Sequence, residues 1–123
     1  MKPEIRFEFI KTNGITLHVA RAGSTEDPLI IFLHGFPEFW ISFKKQIEPV
    51  VNAGFQVMLP DQRGYNLSDK PWRIGSYKLD KLTDDIVGLI DYARKEKACQ
   101  LKKKLQSLQR NKRLQPLTRK KLK

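Results

Sequence analysis

The chain opens on two stretches in which apolar and polar residues alternate, residues 5–10 and 15–19. Asn13-Gly14 stands between them, and both residues tolerate the positive φ angles of a tight type I′ turn. The pattern therefore predicts a β-hairpin. Because alternation turns one side of each strand toward water, we expect His18 to be a solvent-side residue of its strand.

An uninterrupted apolar run follows at residues 29–33, and a second run at 55–59 is apolar except for Gln56; each predicts a short buried strand, and the first is expected to be buried on both faces. Between them, apolar residues recur at helical spacing, with Pro49 expected to kink or restart the helix and Gly54 to end it. These apolar positions are Phe43, Ile47, Val50 and Val51. With a further helix after the second strand, the order predicts an α/β fold with a largely parallel sheet.

The further helix carries one apolar face, formed by Leu79, Leu82, Ile86, Leu89, Ile90 and Ala93. Its acidic residues are expected on or near the opposite face, and they are Asp80, Asp84, Asp85 and Asp91. Acidic residues early and basic residues late suit the helix dipole. Packing against the sheet accounts for this pattern without any chemical role.

Charge divides the chain unevenly. The net charge is +11, yet residues 1–93 carry 11 Lys and Arg against 12 Asp and Glu, whereas residues 94–123 carry 13 Lys and Arg against Glu96 alone. We therefore divide the chain into a domain portion, residues 1–98, and a basic tail, residues 99–123. Leucines at helical spacing predict that 97–115 forms a short basic amphipathic helix before Pro116, or else that the tail is disordered.

Several classes of protein are disfavoured by composition. No run of about 18 apolar residues is present, so we expect no membrane span. The residues after Met1 do not read as a secretory signal. Cys99 is the single cysteine, which excludes an internal disulfide and favours a cytoplasmic location. We expect no cofactor and no metal.

Two motifs follow the two buried strands. His34-Gly35-Phe36-Pro37 comes after the first, and from local pattern alone it is a tight turn at the end of a strand. The carboxyl end of such a strand is also where ligands sit in open α/β sheets, and a turn there can aim a backbone N–H into a crevice. The second motif, residues 61–69, includes Asp61 and Arg63, which suit either catalysis or bracing of the loop.

Taken in this order with the helix after residue 79, the motifs resemble the amino-terminal part of an α/β-hydrolase over residues 4–98. The similarity is to the epoxide hydrolase and haloalkane dehalogenase branch. It implies an incomplete hydrolase sheet, a β-hairpin followed by β-α-β-α. It further implies that the backbone N–H of Phe36 is an oxyanion donor, in a turn held by His34, Gly35 and Pro37.

The resemblance also implies roles for the second motif. It assigns Asp61 and Arg63 to bracing their loop through hydrogen bonds and an ion pair. Asn66 stands where the family usually has glycine, and Asn tolerates the left-handed conformation that such a position requires. Phe36, where dehalogenases often carry Asn, favours epoxides, and the pattern also accommodates fluoroacetate dehalogenases and esterases.

In the family, an Asp nucleophile elbow with small flanking residues follows the helix, and a catalytic histidine comes near the carboxyl end. Here no Gly-x-x-x-Gly occurs, and His18 and His34 both precede the elbow's place. The nucleophile, the triad acid and the catalytic histidine are thus absent from these 123 residues. The parent reaction would be hydrolysis of an epoxide or related small molecule through an Asp ester, and this chain should be inactive.

Two interpretations of the tail stay open. One is a truncated hydrolase whose end is out of frame or alternatively spliced. The other is a catalytically dead scaffold whose tail binds polyanions, either an anionic membrane or, nonspecifically because the tail has no aromatic residue, nucleic acid. In both, strand 29–33 would lack a neighbour, and the open apolar edge predicts instability and self-association.

Overall fold

The computed structural model describes residues 2–35 and 38–114, with the side chains of residues 2–35 and 38–111. Two helices and two short 3₁₀ segments, Trp40–Phe43 and Ile74–Tyr77, accompany a four-stranded sheet. The strands are β1 (Arg6–Thr12), β2 (Ile15–Ala22), β3 (Leu29–Ile31) and β4 (Gln56–Pro60), and the helices are α1 (Lys44–Asn52) and α2 (Leu79–Leu114). The α/β class is confirmed.

The sheet is mixed, with strand order β1-β2-β4-β3. The hairpin β1–β2 and the pair β2–β4 are antiparallel, whereas β3 and β4 are parallel. The hairpin turn is as predicted, since Asn13 has φ 51° and Gly14 has φ 77°. The parallel pair carries both motifs at its carboxyl ends, and this positions the site.

Apolar residues form two clusters on opposite faces of the sheet. One cluster joins α2 to the strands and consists of Ile10, Leu17, Val19, Met58, Leu89 and Ala93. The other joins α1 to the strands and consists of Ala20, Ala22, Ile47, Val57 and Leu59. Helices on both faces of a sheet are the arrangement expected for an α/β fold.

Strand β3 is shorter and less buried than predicted. It spans Leu29–Ile31 rather than residues 29–33, and all three residues are only half-buried. Within the described residues β3 pairs with β4 on one side alone, so its other edge is free. The prediction of a buried strand held for β4, where every residue from Gln56 to Pro60 is buried.

The two helices differ in how well their bounds were predicted. Helix α1 is followed by Gly54 at φ 96°, as the pattern indicated, whereas Pro49 lies inside the helix and does not restart it. Helix α2 continues without a break for 36 residues to Leu114, across the predicted change at residue 98. No glycine or proline stands between Gly88 and Pro116, so no residue in that interval stops the helix. The division into domain and tail stays a prediction.

Gly88 lies where α2 comes close to β1. A Cβ built on it would stand 1.8 Å from Thr12 Oγ1 and 2.9 Å from Thr12 Cβ. Thr12 cannot easily yield, because its hydroxyl donates to the carbonyl oxygen of Asp85 at 2.8 Å. The glycine therefore sets the distance between helix and sheet.

Gly88→Ala is expected to lower the free energy of unfolding by about 2 kcal/mol, because overpacking outweighs the better helix propensity of alanine. Urea unfolding followed by tryptophan fluorescence measures the change. Gly75→Ala is the matched control, since a Cβ there meets nothing within 4 Å. Equal stability of Gly88→Ala and wild type would contradict the close contact.

Among the described residues, no helix is both long and apolar enough to cross a bilayer.

Candidate functional site

The site lies where the chain leaves β3 and β4. Because these strands are parallel, their carboxyl ends meet at one edge of the sheet, and the loops starting at residues 32 and 61 come together there. The backbone N–H of Phe32 makes the last contact along β3, donating to the Met58 carbonyl oxygen at 3.0 Å. His34 and Gly35 follow directly.

His34 is buried, with 6% of its surface exposed, and both ring nitrogens are occupied. Its Nε2 accepts a hydrogen bond from the backbone N–H of Gln62 at 2.9 Å, so this nitrogen carries no proton. Its Nδ1 lies 3.1 Å from the Gly35 carbonyl oxygen and donates to it. The ring of Tyr65 packs edge-on against the imidazole at 4.6 Å. Both ring nitrogens of His34 are thus engaged in holding the turn.

Gln62 completes a second bond to the same turn. Its side-chain Nε2 donates to the His34 carbonyl oxygen at 2.6 Å. Main chain and side chain of one residue therefore hold both the ring and the backbone of His34. The sequence reasoning missed Gln62, although it stands between Asp61 and Arg63 in the second motif.

Gly35 closes the turn toward residue 38. The Glu38 N–H donates to the Gly35 carbonyl oxygen at 2.8 Å, and the Gly35 N–H donates to Glu38 Oε1 at 3.3 Å. Phe36 and Pro37 lie outside the described residues. The oxyanion role of Phe36, and the roles of His34, Gly35 and Pro37 in holding it, therefore stay predictions.

Asp61 is fully buried and joins several segments. Its Oδ1 accepts from the Trp40 backbone N–H at 2.9 Å, and its Oδ2 accepts from Asn66 Nδ2 at 2.8 Å. The Ser68 hydroxyl donates to its carbonyl oxygen. Asn66 has φ 44°, so the left-handed conformation predicted at this position is present. The bracing role predicted for Asp61 is confirmed.

His18 was expected on the solvent side of its strand, and that prediction is wrong. Only 5% of it is exposed, its Nδ1 lies 2.7 Å from Asp61 Oδ2, and the Phe7 ring stacks on it at 5.5 Å. Alternation predicts one wet face, but β2 lies inside the sheet between β1 and β4 and is covered on both sides. His18 therefore supports the loop that contains Asp61 and adds no reactive group to the turn at His34 and Gly35.

Arg63 is held by helix α2. Its Nε and Nη2 donate to the two carboxylate oxygens of Asp85, each at 2.9 Å, and its Nη1 donates to the Ser76 carbonyl oxygen at 2.9 Å. Hydrogen bonding to Asp85 raises the pKa of the Arg63 guanidinium above its usual value. The predicted bracing of the loop by an ion pair is confirmed. The partner is Asp85, which the sequence pattern had not identified.

Asp85 was expected on the outer face of its helix, and this too is wrong. Only 2% of it is exposed, and its Oδ1 also accepts from Asn13 Nδ2 at 3.1 Å. Its sequence position next to Leu82 and Ile86 places it on the sheet-facing side of α2. The charge of this buried Asp is compensated by the guanidinium of Arg63.

The described part of the site thus positions backbone and holds no reactive group. Within the described ranges, no three His, Cys, Asp or Glu side chains converge as a metal centre requires. What this arrangement can do chemically is hold the backbone of His34 and Gly35 in place at the edge of the sheet.

Comparison with known proteins places this geometry in a family. The model of the alpha/beta hydrolase fold matches residues 28–99. The chain is 61% identical over 94 residues to the AB hydrolase superfamily protein YfhM of Bacillus subtilis, covering 76% of this chain and 33% of that protein. It is 44% identical over 89 residues to Epoxide hydrolase A of Mycobacterium tuberculosis, covering 72% and 28%.

A solved structure agrees. The crystal structure of Epoxide Hydrolase A from Mycobacterium thermoresistibile superimposes with a TM-score of 0.69 at 43% identity, covering 75% of this chain and 28% of that one. The chain therefore spans a third or less of the length of these relatives. With a family model matching more than half of its residues, the chain belongs to the alpha/beta hydrolase fold family.

Proposed function

We propose that this chain forms the oxyanion side of an epoxide-hydrolase-like active site, with the backbone N–H of Phe36 as one donor. The substrate would be a small epoxide, opened through an ester with an Asp outside these 123 residues. The oxyanion appears when water attacks that ester, so the turn serves the second half of the reaction.

The contact between Gln62 and His34 carries this proposal. Two hydrogen bonds, at 2.9 and 2.6 Å, fix the ring and carbonyl of the residue two before Phe36. A donor stabilises a developing charge only when it is already aimed at the right place. Hydrogen bonds that fix a backbone turn, and that do not themselves transfer a proton, suit this positioning role.

We further propose that these 123 residues by themselves do not turn over an epoxide. No nucleophile elbow occurs among them. The free edge of β3, beside a groove lined by Leu29, Ile90 and Ala93, suits pairing with a further strand. That strand could carry the nucleophile, and an unoccupied edge would also favour self-association.

The test uses the chain alone and a chimera in which residues 4–98 replace the matching segment of Epoxide hydrolase A of Mycobacterium tuberculosis. With styrene oxide as probe, the chain alone is expected to form no diol above background, and the chimera is expected to form it. A chimera that folds, by near-UV circular dichroism, without turning over would contradict the proposal. Turnover by the chain alone would contradict its inactivity.

In the same chimera, Gln62→Ala is expected to slow hydrolysis of the ester about tenfold, less than the loss caused by deleting an oxyanion donor outright. Opening of the epoxide should change little, because the tetrahedral oxyanion on the ester carbon forms only in the hydrolysis step. The covalent ester should therefore accumulate, and mass spectrometry of the quenched enzyme measures it.

Gln46→Ala is the matched control, since Gln46 is an exposed glutamine of α1. It should leave both steps at the wild-type rate. Equal slowing of both steps by Gln62→Ala would point to general loosening of the fold and against a role in the oxyanion turn.

We also propose a cytoplasmic location. Cys99 is the only cysteine, and it is free and exposed. An exposed free thiol suits a reducing compartment.

A further inference from the structure

The second half of α2 is a helical segment exposed along its whole described length. Residues 97–111 contain Lys97, Lys102, Lys103, Lys104 and Arg110 and no acidic residue. Each of these 15 positions is exposed. We call residues 97–111 the basic helix.

Three leucines form a stripe along the basic helix. Leu101, Leu105 and Leu108 recur every three or four residues and therefore share one side. They are 58%, 53% and 57% exposed. Large apolar side chains in one exposed row, rather than scattered singly, mark a surface that binds something.

One side chain of the basic helix contacts another part of the protein. Lys104 Nζ lies 2.7 Å from Glu26 Oε1, in the loop between β2 and β3. Of the other lysines of the segment, Lys102 and Lys103 occupy positions away from the leucine stripe, whereas Lys97 stands at its beginning, four residues before Leu101. An apolar row bordered by cations is therefore presented on a helix already formed.

We infer that the basic helix binds the surface of an anionic lipid bilayer. A helix with leucines on one side and lysines on the rest lies in the membrane interface, where its leucines enter the acyl boundary and its cations meet the headgroups. Each cation near an anionic leaflet adds attraction that falls off within a Debye length. The positive charge and the apolar stripe of the basic helix therefore both suit an anionic bilayer.

Nucleic acid suits the segment less well. Phosphates would neutralise the lysines, but the three exposed leucines would gain nothing from a duplex. Residues 94–123 contain no aromatic side chain, so stacking on unpaired bases is not available either. The leucine stripe is what favours lipid, and it is also what separates the two partners experimentally.

The test is co-sedimentation of the full chain with vesicles of phosphatidylcholine alone or with one third phosphatidylserine. Binding is expected to be at least about tenfold tighter on the anionic vesicles. Changing Leu101, Leu105 and Leu108 together to Gln should weaken that binding about tenfold, as should Lys102→Gln with Lys103→Gln. Glutamine keeps helix propensity, and far-UV circular dichroism checks that the helix remains.

Lys44→Gln with Lys45→Gln is the control, because it removes the same charge from exposed positions of α1, on the opposite face of the sheet. It should bind like wild type. The inference fails if anionic vesicles are not preferred, if the control loses as much as the Lys102 and Lys103 variant, or if the leucine variant binds normally. Tighter binding to duplex DNA that ignores the leucine changes would assign the basic helix to nucleic acid instead.

Discussion

Asp85→Ala is expected to lower the free energy of unfolding by about 4 kcal/mol, because it leaves the guanidinium of Arg63 buried without its counter-charge. The exposed fractions of the two side chains are 2% and 5%, so water cannot take the place of the carboxylate. The change also removes an acceptor from Asn13 Nδ2. The free energy of unfolding of a protein of this size is small, so this loss is a large fraction of it.

Urea unfolding measured by tryptophan fluorescence tests this expectation. Asp84→Ala is the matched control, one position away and exposed, and it should cost only a few tenths of a kcal/mol through the helix dipole. The double variant Asp85→Ala with Arg63→Ala should lose clearly less free energy of unfolding than the two single variants together. Each single change leaves one charged side chain buried without its partner, and the double change does not. Similar losses for Asp84→Ala and Asp85→Ala would refute the buried pair.

The local features of the fold were readable from the sequence because each depends on residues close in the chain. Asn13-Gly14 specifies its turn through backbone preference, and Asn66 tolerates its left-handed φ for the same reason. The apolar residues Val57, Met58 and Leu59 favoured burial of β4, and the strand is buried. These predictions needed no knowledge of which strand lies next to which.

The errors share a different cause. His18 and Asp85 were placed in solvent because each is polar and falls outside a strict apolar period. Their partners, Asp61 and Arg63, lie 43 and 22 residues away in the chain. A polar residue is buried when such a partner satisfies it, and periodicity does not contain that information.

The oxyanion turn shows the same limit. His34 and its motif were identified by resemblance, but Gln62, which binds His34 twice, was not singled out. The two residues are 28 apart in the chain and meet because β3 and β4 are parallel neighbours. Once that pairing is known, the role of Gln62 follows from its place at the end of β4.

Glu96→Ala is the second change with a large expected effect, a loss of about 3 kcal/mol in the free energy of unfolding. Glu96 binds Arg21 through both carboxylate oxygens, at 2.9 Å to Nη1 and 2.7 Å to Nη2. Arg21 is 1% exposed, and its Nε has no hydrogen-bond partner within the described residues. Removing Glu96 would leave that buried cation with weaker contacts only, to Glu8 at 3.4 Å and Gln56 at 3.2 Å.

The protonation of Arg21 makes this loss unavoidable at ordinary pH. Burial lowers the pKa of its guanidinium, but hydrogen bonds and charge from Glu96 and Glu8 outweigh burial and raise it above its usual value. In the Glu96→Ala variant the support from Glu96 is gone, but a guanidinium is protonated at ordinary pH even without such a partner, so Arg21 stays charged and cannot avoid the cost by losing a proton. The ring of Tyr92, 5.7 Å from the guanidinium carbon, compensates only in part.

Glu26→Ala is the control, because it breaks another ion pair between α2 and the rest of the protein, that of Lys104 with Glu26. That pair is exposed, at 61% for Lys104 and 42% for Glu26, and its removal should cost less than about 1 kcal/mol. Amide hydrogen exchange adds a local measurement: Glu96→Ala should speed exchange along residues 90–100 far more than Glu26→Ala. Equal effects of the two changes on stability and exchange would mean that α2 is held by apolar packing alone, and that the single acid among residues 94–123 does not anchor it.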